Sequence, residues 1–290
     1  MVIMQIKNVQ YRYHDGTDAL CGINLDILKG EFLAILGQNG SGKTTLLKHL
    51  NGLLKPTSGE VLLNQKTLTR YSSNEVFQKV GIVFQDPNDQ LFAPSVWDDI
   101  AFGPMNMGLS GNEISQRVND ALIMVDMSPY TKKPVDALSF GQKKRVCIAG
   151  VLAMKPEILV LDEPTCGLDP VGVTSLMTLL KELNQKHGIT IIMATNIVDL
   201  VPVYMNRLAI MYQGALLRVG SPEDVFSRID EIRHAYLELP QIAQLMLTLR
   251  DEGSISMDSL PLTIGEARNY FIHKLNDKYG GAPRRVSLVK

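Results

Sequence analysis

Cysteine is scarce in this 290-residue chain: Cys21, Cys147 and Cys166, an odd number set far apart. With no C-x-x-C pair they exclude a disulfide-built miniprotein and point to a reducing compartment. The five histidines, His14, His49, His187, His234 and His273, show no metal-ligand spacing. No apolar run approaches the ~18 residues of a spanning helix, so a membrane role is expected only through a partner. Neither sign of charge dominates, with a net charge of −1 and a pI near 6.5. Without a basic excess or stripe, no nucleic-acid partner is expected. The first residues lack the basic and apolar stretches of a signal peptide. What is present is ordinary globular composition, 45% hydrophobic and 20% charged, in a chain long enough to bury a sizeable core.

Apolar patterning predicts strands at 2–6 and 23–27, which partly alternate, and at 32–36, a continuous run suited to burial on both faces. A helix is expected at 43–53 and strands at 59–63 and 79–84. Helices then take over at 96–107, 112–126 and 141–154, punctuated by Gly103, Pro104, Gly108 and Gly111. Strands return at 158–161, 189–194 and 208–211, with a helix at 170–187 ending at His187 and Gly188. Such alternation predicts a parallel sheet carrying an inserted helical subdomain of about 96–154. Residues 227–290 read as a small helical appendage, with amphipathic helices around 240–251 and 263–276.

Three motifs carry chemistry. Gly37-Gln38-Asn39-Gly40-Ser41-Gly42-Lys43-Thr44 fits G-x-x-x-x-G-K-[ST] between a predicted strand and a predicted helix. Glycines let such a loop wrap a phosphate chain and aim its N–H groups inward, and the helix N-terminus favours anionic oxygens. Gly37, Asn39, Gly40, Ser41, Gly42, Lys43, Thr44 and Thr45 are the candidate nucleotide ligands. Lys43 would reach the β- and γ-phosphates and Thr44 would hold Mg²⁺. Second, the strand Ile158-Leu159-Val160-Leu161 delivers Asp162 and Glu163 at its C-terminal end, where ligands of open parallel sheets bind. Asp162 suits Mg²⁺ and Glu163 a general base acting on water. Third, Ser139 can cap the helix that opens with Phe140-Gly141-Gln142. The Lys143-Lys144-Arg145 run sits poorly in a first turn on dipole grounds, which favours an anion-binding helix end over a merely capped surface helix.

The ordered set of motifs over residues 2–226 resembles the ATP-binding subunits of ABC transporters. The resemblance implies a P-loop α/β core with an antiparallel β subdomain, an inserted helical subdomain and a C-terminal appendage. It implies ATP and Mg²⁺ as the ligands and hydrolysis of ATP as the reaction. Gln85 matches the glutamine that joins core to helical subdomain and senses Mg²⁺ and γ-phosphate. Ser139, Gly141 and Gln142 match the signature that contacts the nucleotide of the opposite subunit, and Asp169 lies in the coupling loop Gly167-Leu168-Asp169. Tyr11 or Tyr13 would stack on adenine. Asn196 stands where the family places a catalytic histidine, and Ile197 where an acidic residue is common.

Phe140, the run from Pro87 to Pro94 and Ala101-Phe102-Gly103-Pro104 are similar to the energy-coupling-factor branch, most of all to cobalt and nickel importer ATPases. The segment 260–267 adds to this. The likeness implies a second ATP-binding subunit, identical or not, a transmembrane coupling protein and a substrate-binding membrane subunit, with the ATPase peripheral on the cytoplasmic face. Cobalt or nickel is the expected cargo, with a vitamin as the alternative. A hydrolysis-poor structural partner of a competent ATPase is the rival role, favoured by Asn196. Phe84, Leu91, Phe92, Val96 and Trp97 are expected to form an apolar cluster that either receives the membrane partner or is simply core.

Overall fold

A computed structural model describes residues 1–279; the tail from Gly280, read above as part of the appendage, lies outside the described residues. Ten strands and eleven α-helices follow in order. They are β1 (Val2–Arg12), β2 (Asp18–Leu28), β3 (Phe32–Leu36), α1 (Lys43–Leu50), β4 (Ser58–Leu63), β5 (Lys66–Thr67), α2 (Ser73–Lys79) and β6 (Val80–Val83). Next come α3 (Val96–Asn106), α4 (Gly111–Met124), α5 (Phe140–Leu152), β7 (Ile158–Asp162), α6 (Pro170–His187), β8 (Thr190–Thr195) and α7 (Val201–Tyr204). β9 (Arg207–Tyr212), β10 (Ala215–Gly220), α8 (Pro222–Phe226), α9 (Ile229–His234), α10 (Gln241–Asp251) and α11 (Ile264–Tyr279) complete the described residues.

The main sheet has the order β10-β9-β3-β8-β7-β6. Its strands from β9 to β6 run parallel, and β10 closes one edge antiparallel to β9. β3, β7 and β8 are buried at every residue, which explains their unbroken apolar runs. Successive side chains still serve opposite faces. Phe32, Ala34 and Leu36 join the core beneath the helices, whereas Leu33 and Ile35 face α1 and the second sheet. That second sheet, order β2-β1-β4-β5, is antiparallel throughout. Leu46, Leu47 and Leu50 of α1 fill the space between the sheets, each contributing about 1.5–3 kcal/mol through burial.

Strands and helices stand where the patterning places them, with shifted ends. β1 and β2 run well beyond the expected 2–6 and 23–27. Alternation breaks at Lys7 and Asn8, both exposed, where Asn8 takes φ +47° and the register shifts. Helix ends are chemically marked. Reciprocal Ser–Glu or Ser–Gln capping boxes open α2 (Ser72, Glu75), α4 (Ser110, Glu113) and α5 (Ser139, Gln142). Gly188 closes α6 with φ +68°.

Candidate functional site

The ends of β3, β7 and β8 lie side by side, because β3 and β7 both pair with β8. The loop after β3 therefore meets the two carboxylates after β7. Lys43 is 5% exposed. Its Nζ donates to the carbonyls of Gly37 (2.8 Å) and Gln38 (3.1 Å) and stands 3.7 Å from Oε1 of Glu163. Thr44 Oγ1 donates to Asp162 Oδ2 at 2.7 Å. Gln85, just beyond β6, donates from Nε2 to Glu163 Oε2 at 3.2 Å.

Two backbone features set this geometry. Gly37 cannot be replaced without disruption, since a Cβ there would lie 2.6 Å from the Met211 carbonyl oxygen. Glu163 has φ +43°, a left-handed conformation rare for a residue with a side chain. Such strain costs about 1–3 kcal/mol and concentrates at functional sites. Here it accompanies a carboxyl group held between Lys43 and Gln85.

The loop fits a phosphate chain on its own evidence. Ser41 Oγ is buried without a hydrogen-bond partner among the described residues, an unmet polar group facing the turn of the loop. Mg²⁺ fits as well. No cluster of three acidic, cysteine or histidine side chains exists among the described residues. A pair such as Thr44 and Asp162 suits an ion that takes most of its ligands from phosphate and water.

Both candidate adenine tyrosines lie beside α1. Tyr13 is the more exposed, 37%, and its hydroxyl is 2.9 Å from Thr45 Oγ1. Tyr11 is half-buried and packs edge-on against Tyr13 and His49. Asn196 is exposed just past β8, close to the loop residues Gln38 and Asn39 around one shallow cavity. Asn39 and Gly40 are exposed as well. Ser139, Gly141 and Gln142 stand at the start of α5, with Ser139 exposed. Gln142 Oε1 accepts from the Ser139 N–H at 3.0 Å. Asp169 caps α6, its Oδ1 accepting from the Gly172 N–H at 2.6 Å.

Each side chain of the basic run of α5 has a partner within the chain. Lys143 bonds Asn88 at 2.8 Å, Lys144 bonds the Gln85 carbonyl, and Arg145 bonds the Val125 carbonyl (2.6 Å) and Ser175 (2.7 Å). The expected apolar cluster also divides. Val96 is fully buried core and Leu91 and Trp97 pack against that core, whereas Phe92 is 65% exposed. Phe92 stacks edge-on with Phe102, ring centroids 4.7 Å apart. Phe84 and Phe92 line a groove of about 360 Å³ together with Phe77, Phe102 and Met107. Sequence reading missed the buried Lys144 and the groove's Phe77. A lysine three and seven residues ahead of Cys147 and Val151, on the apolar stripe of α5, was the available signal.

The family model for the ABC transporter matches residues 20–166. The energy-coupling factor transporter ATP-binding protein EcfA of Methanocaldococcus jannaschii is 49% identical over 280 residues, 96% of this chain and 100% of that one. Its namesake in Methanococcus maripaludis is 50% identical over 272 residues, 93% and 97% of the two chains. The chain belongs to the ATP-binding subunits of ABC transporters, in the energy-coupling-factor branch. Among solved structures, cbiO1 of Clostridium perfringens, described as part of the ABC transporter complex cbiONQ, superposes with a TM-score of 0.74 at 47% identity. The match covers 85% of this chain and 99% of cbiO1. A dimeric ATP-binding cassette in a post-hydrolysis state with ADP and phosphate matches at a TM-score of 0.69 and 30% identity, over 76% and 99% of the chains. The protein is thus an ATPase with the P-loop fold of that family. No helix among the described residues is long and apolar enough to cross a membrane.

Proposed function

We propose that this subunit hydrolyses ATP at the Lys43–Asp162–Glu163 centre to power import through a membrane complex at whose cytoplasmic face it sits. The observation that carries the reading is the convergence of Lys43 and Gln85 on Glu163 beside a Thr44–Asp162 pair. Lys43 and the loop N–H groups of residues 39–45 bind the phosphates, and Ser41 Oγ gains the partner it lacks. Thr44, Asp162 and Gln85 would hold Mg²⁺, which would supply charge neutralisation at the phosphate oxygens. Glu163 orients the attacking water and takes its proton, while Gln85 fixes the carboxylate. Phosphoryl transfer asks chiefly for such positioning and charge neutralisation. Tyr13, with the more exposed ring, stacks on adenine.

Ser139, Gly141 and Gln142 at the start of α5 contact the nucleotide held by a second subunit, with Asp169 in the loop that couples the two sites. The dimeric cassette structure supports that arrangement. Residues 1–226 form the ATP-binding unit, with the helical subdomain at about 96–154, and the remainder is an appendage with a dimerisation or regulatory role. A transmembrane coupling protein and a substrate-binding membrane subunit complete the importer. Cobalt or nickel is the favoured cargo, on the likeness to cbiO1; a vitamin is the alternative. Asn196 favours the second role, a weakly hydrolysing subunit beside a stronger one.

Glu163→Gln tests the centre. It keeps the shape and removes the base. Turnover should fall by about 10²–10³ while ATP still binds. With ATP and Mg²⁺ the variant should run as a dimer on size exclusion. Retained hydrolysis would remove Glu163 from the chemistry.

A further inference from the structure

Lys144 is fully buried, yet it is a lysine. Its Nζ donates to the Gln85 carbonyl and lies 5.4 Å from the centre of the Phe140 ring. Asp86 and Asp162 are near enough to favour its charge, but neither is in ion-pair contact among the described residues. Burial nonetheless pushes the ammonium below the ordinary lysine range. Nor is Cys147 a counter-ion, because burial pushes its thiol up to about 12 and keeps it protonated. A methionine or leucine would fill this space at lower cost in desolvation. Packing therefore does not account for the charge.

The neighbours of Lys144 on α5 hold the same short segment. Lys143 Nζ reaches Asn88 Oδ1 at 2.8 Å, and Cys147 Sγ lies 3.8 Å from the Pro87 carbonyl oxygen. One face of α5 thus fastens residues 85–88 at three points. From that segment the Gln85 side chain reaches Glu163. From the first residue of α5, Phe140 presses on the loop after Glu163, where a Cβ on Gly167 would come within 2.8 Å of its ring. The contacts run from the Glu163 carboxylate to the Gln85 amide, the Gln85 carbonyl and Lys144, on the helix that the Ser139 cap opens.

We propose that Lys144 is a positioning residue: it locks the backbone of Gln85 to α5, so that the Glu163 contact and the Ser139 end of the helix move as one body. The inference rests on the reading that Gln85 and Glu163 serve hydrolysis, and it goes further by assigning the link that sets Gln85. Displacing the Gln85 carbonyl displaces Lys144 and the helix that bears it. The site that a subunit uses itself is thereby tied to the surface it offers to its partner.

The test is a cycle on the purified full chain: parent, Lys144→Met, Gln85→Ala and the double variant. Steady-state turnover, ATP affinity and thermal melting are measured for each. Lys144→Met should lower kcat about tenfold with ATP affinity within about twofold, the split of a contact that matters to the transition state. The double variant should turn over like Gln85→Ala alone, because both changes remove one function. Should the Met variant not fold, Lys144→Gln takes its place under the same criteria. A parent-like kcat, or losses that multiply in the double variant, would overturn the proposal. A parent-like Gln85→Ala would instead remove Gln85 from hydrolysis, overturning the underlying reading together with this one.

Discussion

Asn196 is the residue on which the proposed second role, a weakly hydrolysing subunit, rests. Its amide is exposed just past β8 and makes no hydrogen bond within the chain among the described residues. The side chain is shorter than an imidazole and cannot titrate. In that proposed role it would forfeit support for charge that develops on phosphate and water, a loss that falls on turnover more than on binding. Asn196→His should raise kcat about tenfold, the worth of one good hydrogen bond, with ATP affinity unchanged. Single-turnover hydrolysis by the purified parent and variant would show it. A parent that already hydrolyses briskly and gains nothing leaves Glu163 and Gln85 sufficient. The strained backbone of Glu163 belongs to the same scale: no spacing rule foretells φ +43°, because it is imposed by the β7–β8 frame, where the Glu163 N–H bonds the Ala194 carbonyl at 3.0 Å.

Among the elements, α1 carries a second consequence of burial. His49 is 1% exposed, its Nδ1 is 2.7 Å from the Thr45 carbonyl oxygen, and its Nε2 has no partner. Burial holds the imidazole below its ordinary range, so the folded chain keeps it neutral. The unfolded chain takes up the proton first. Stability from this group is therefore complete above its ordinary value near 6.5 and declines as pH falls from there toward the lower folded value. The melting temperature should drop between pH 7 and pH 5.5, and His49→Gln should flatten that part of the profile. An unchanged slope in the variant would assign the acid sensitivity elsewhere.

At the scale of the molecule, an apolar groove opens between the core and the inserted helices. Phe92 and Phe102 are too exposed to be core and too well stacked to be accidental. Phe92→Asp should leave ATP hydrolysis by the isolated subunit intact, because neither ring touches Lys43 or Glu163. In vesicles carrying the complete transporter it should uncouple hydrolysis from uptake. Uptake at the parental rate would place the membrane partner on another surface. Leu91 and Val96 are poorer probes, since both belong to the packed interior.

The strand and helix runs, the phosphate loop, the paired carboxylates and the Ser139 cap were all legible in the sequence. Each rests on local chemistry: period, glycine content and a hydroxyl one residue before a helix. The short pieces were not. β10 at the sheet edge is half-exposed and lacks a clear apolar run, and α2 buries Val76 alone. The Ser72…Glu75 capping box marked α2 all the same. Other features required the folded chain. That Lys43 and Gln85 meet Glu163 depends on the neighbouring ends of β3, β6 and β7, which the sequence separates by scores of residues. That Phe92, before α3, is exposed while Val96 at its start is core depends on how this junction lies against the core. That Lys144 grips a carbonyl rather than a phosphate depends on how α5 lies against residues 85–88. Local pattern fixes what an element is, whereas long-range packing decides which groups it brings within bonding distance.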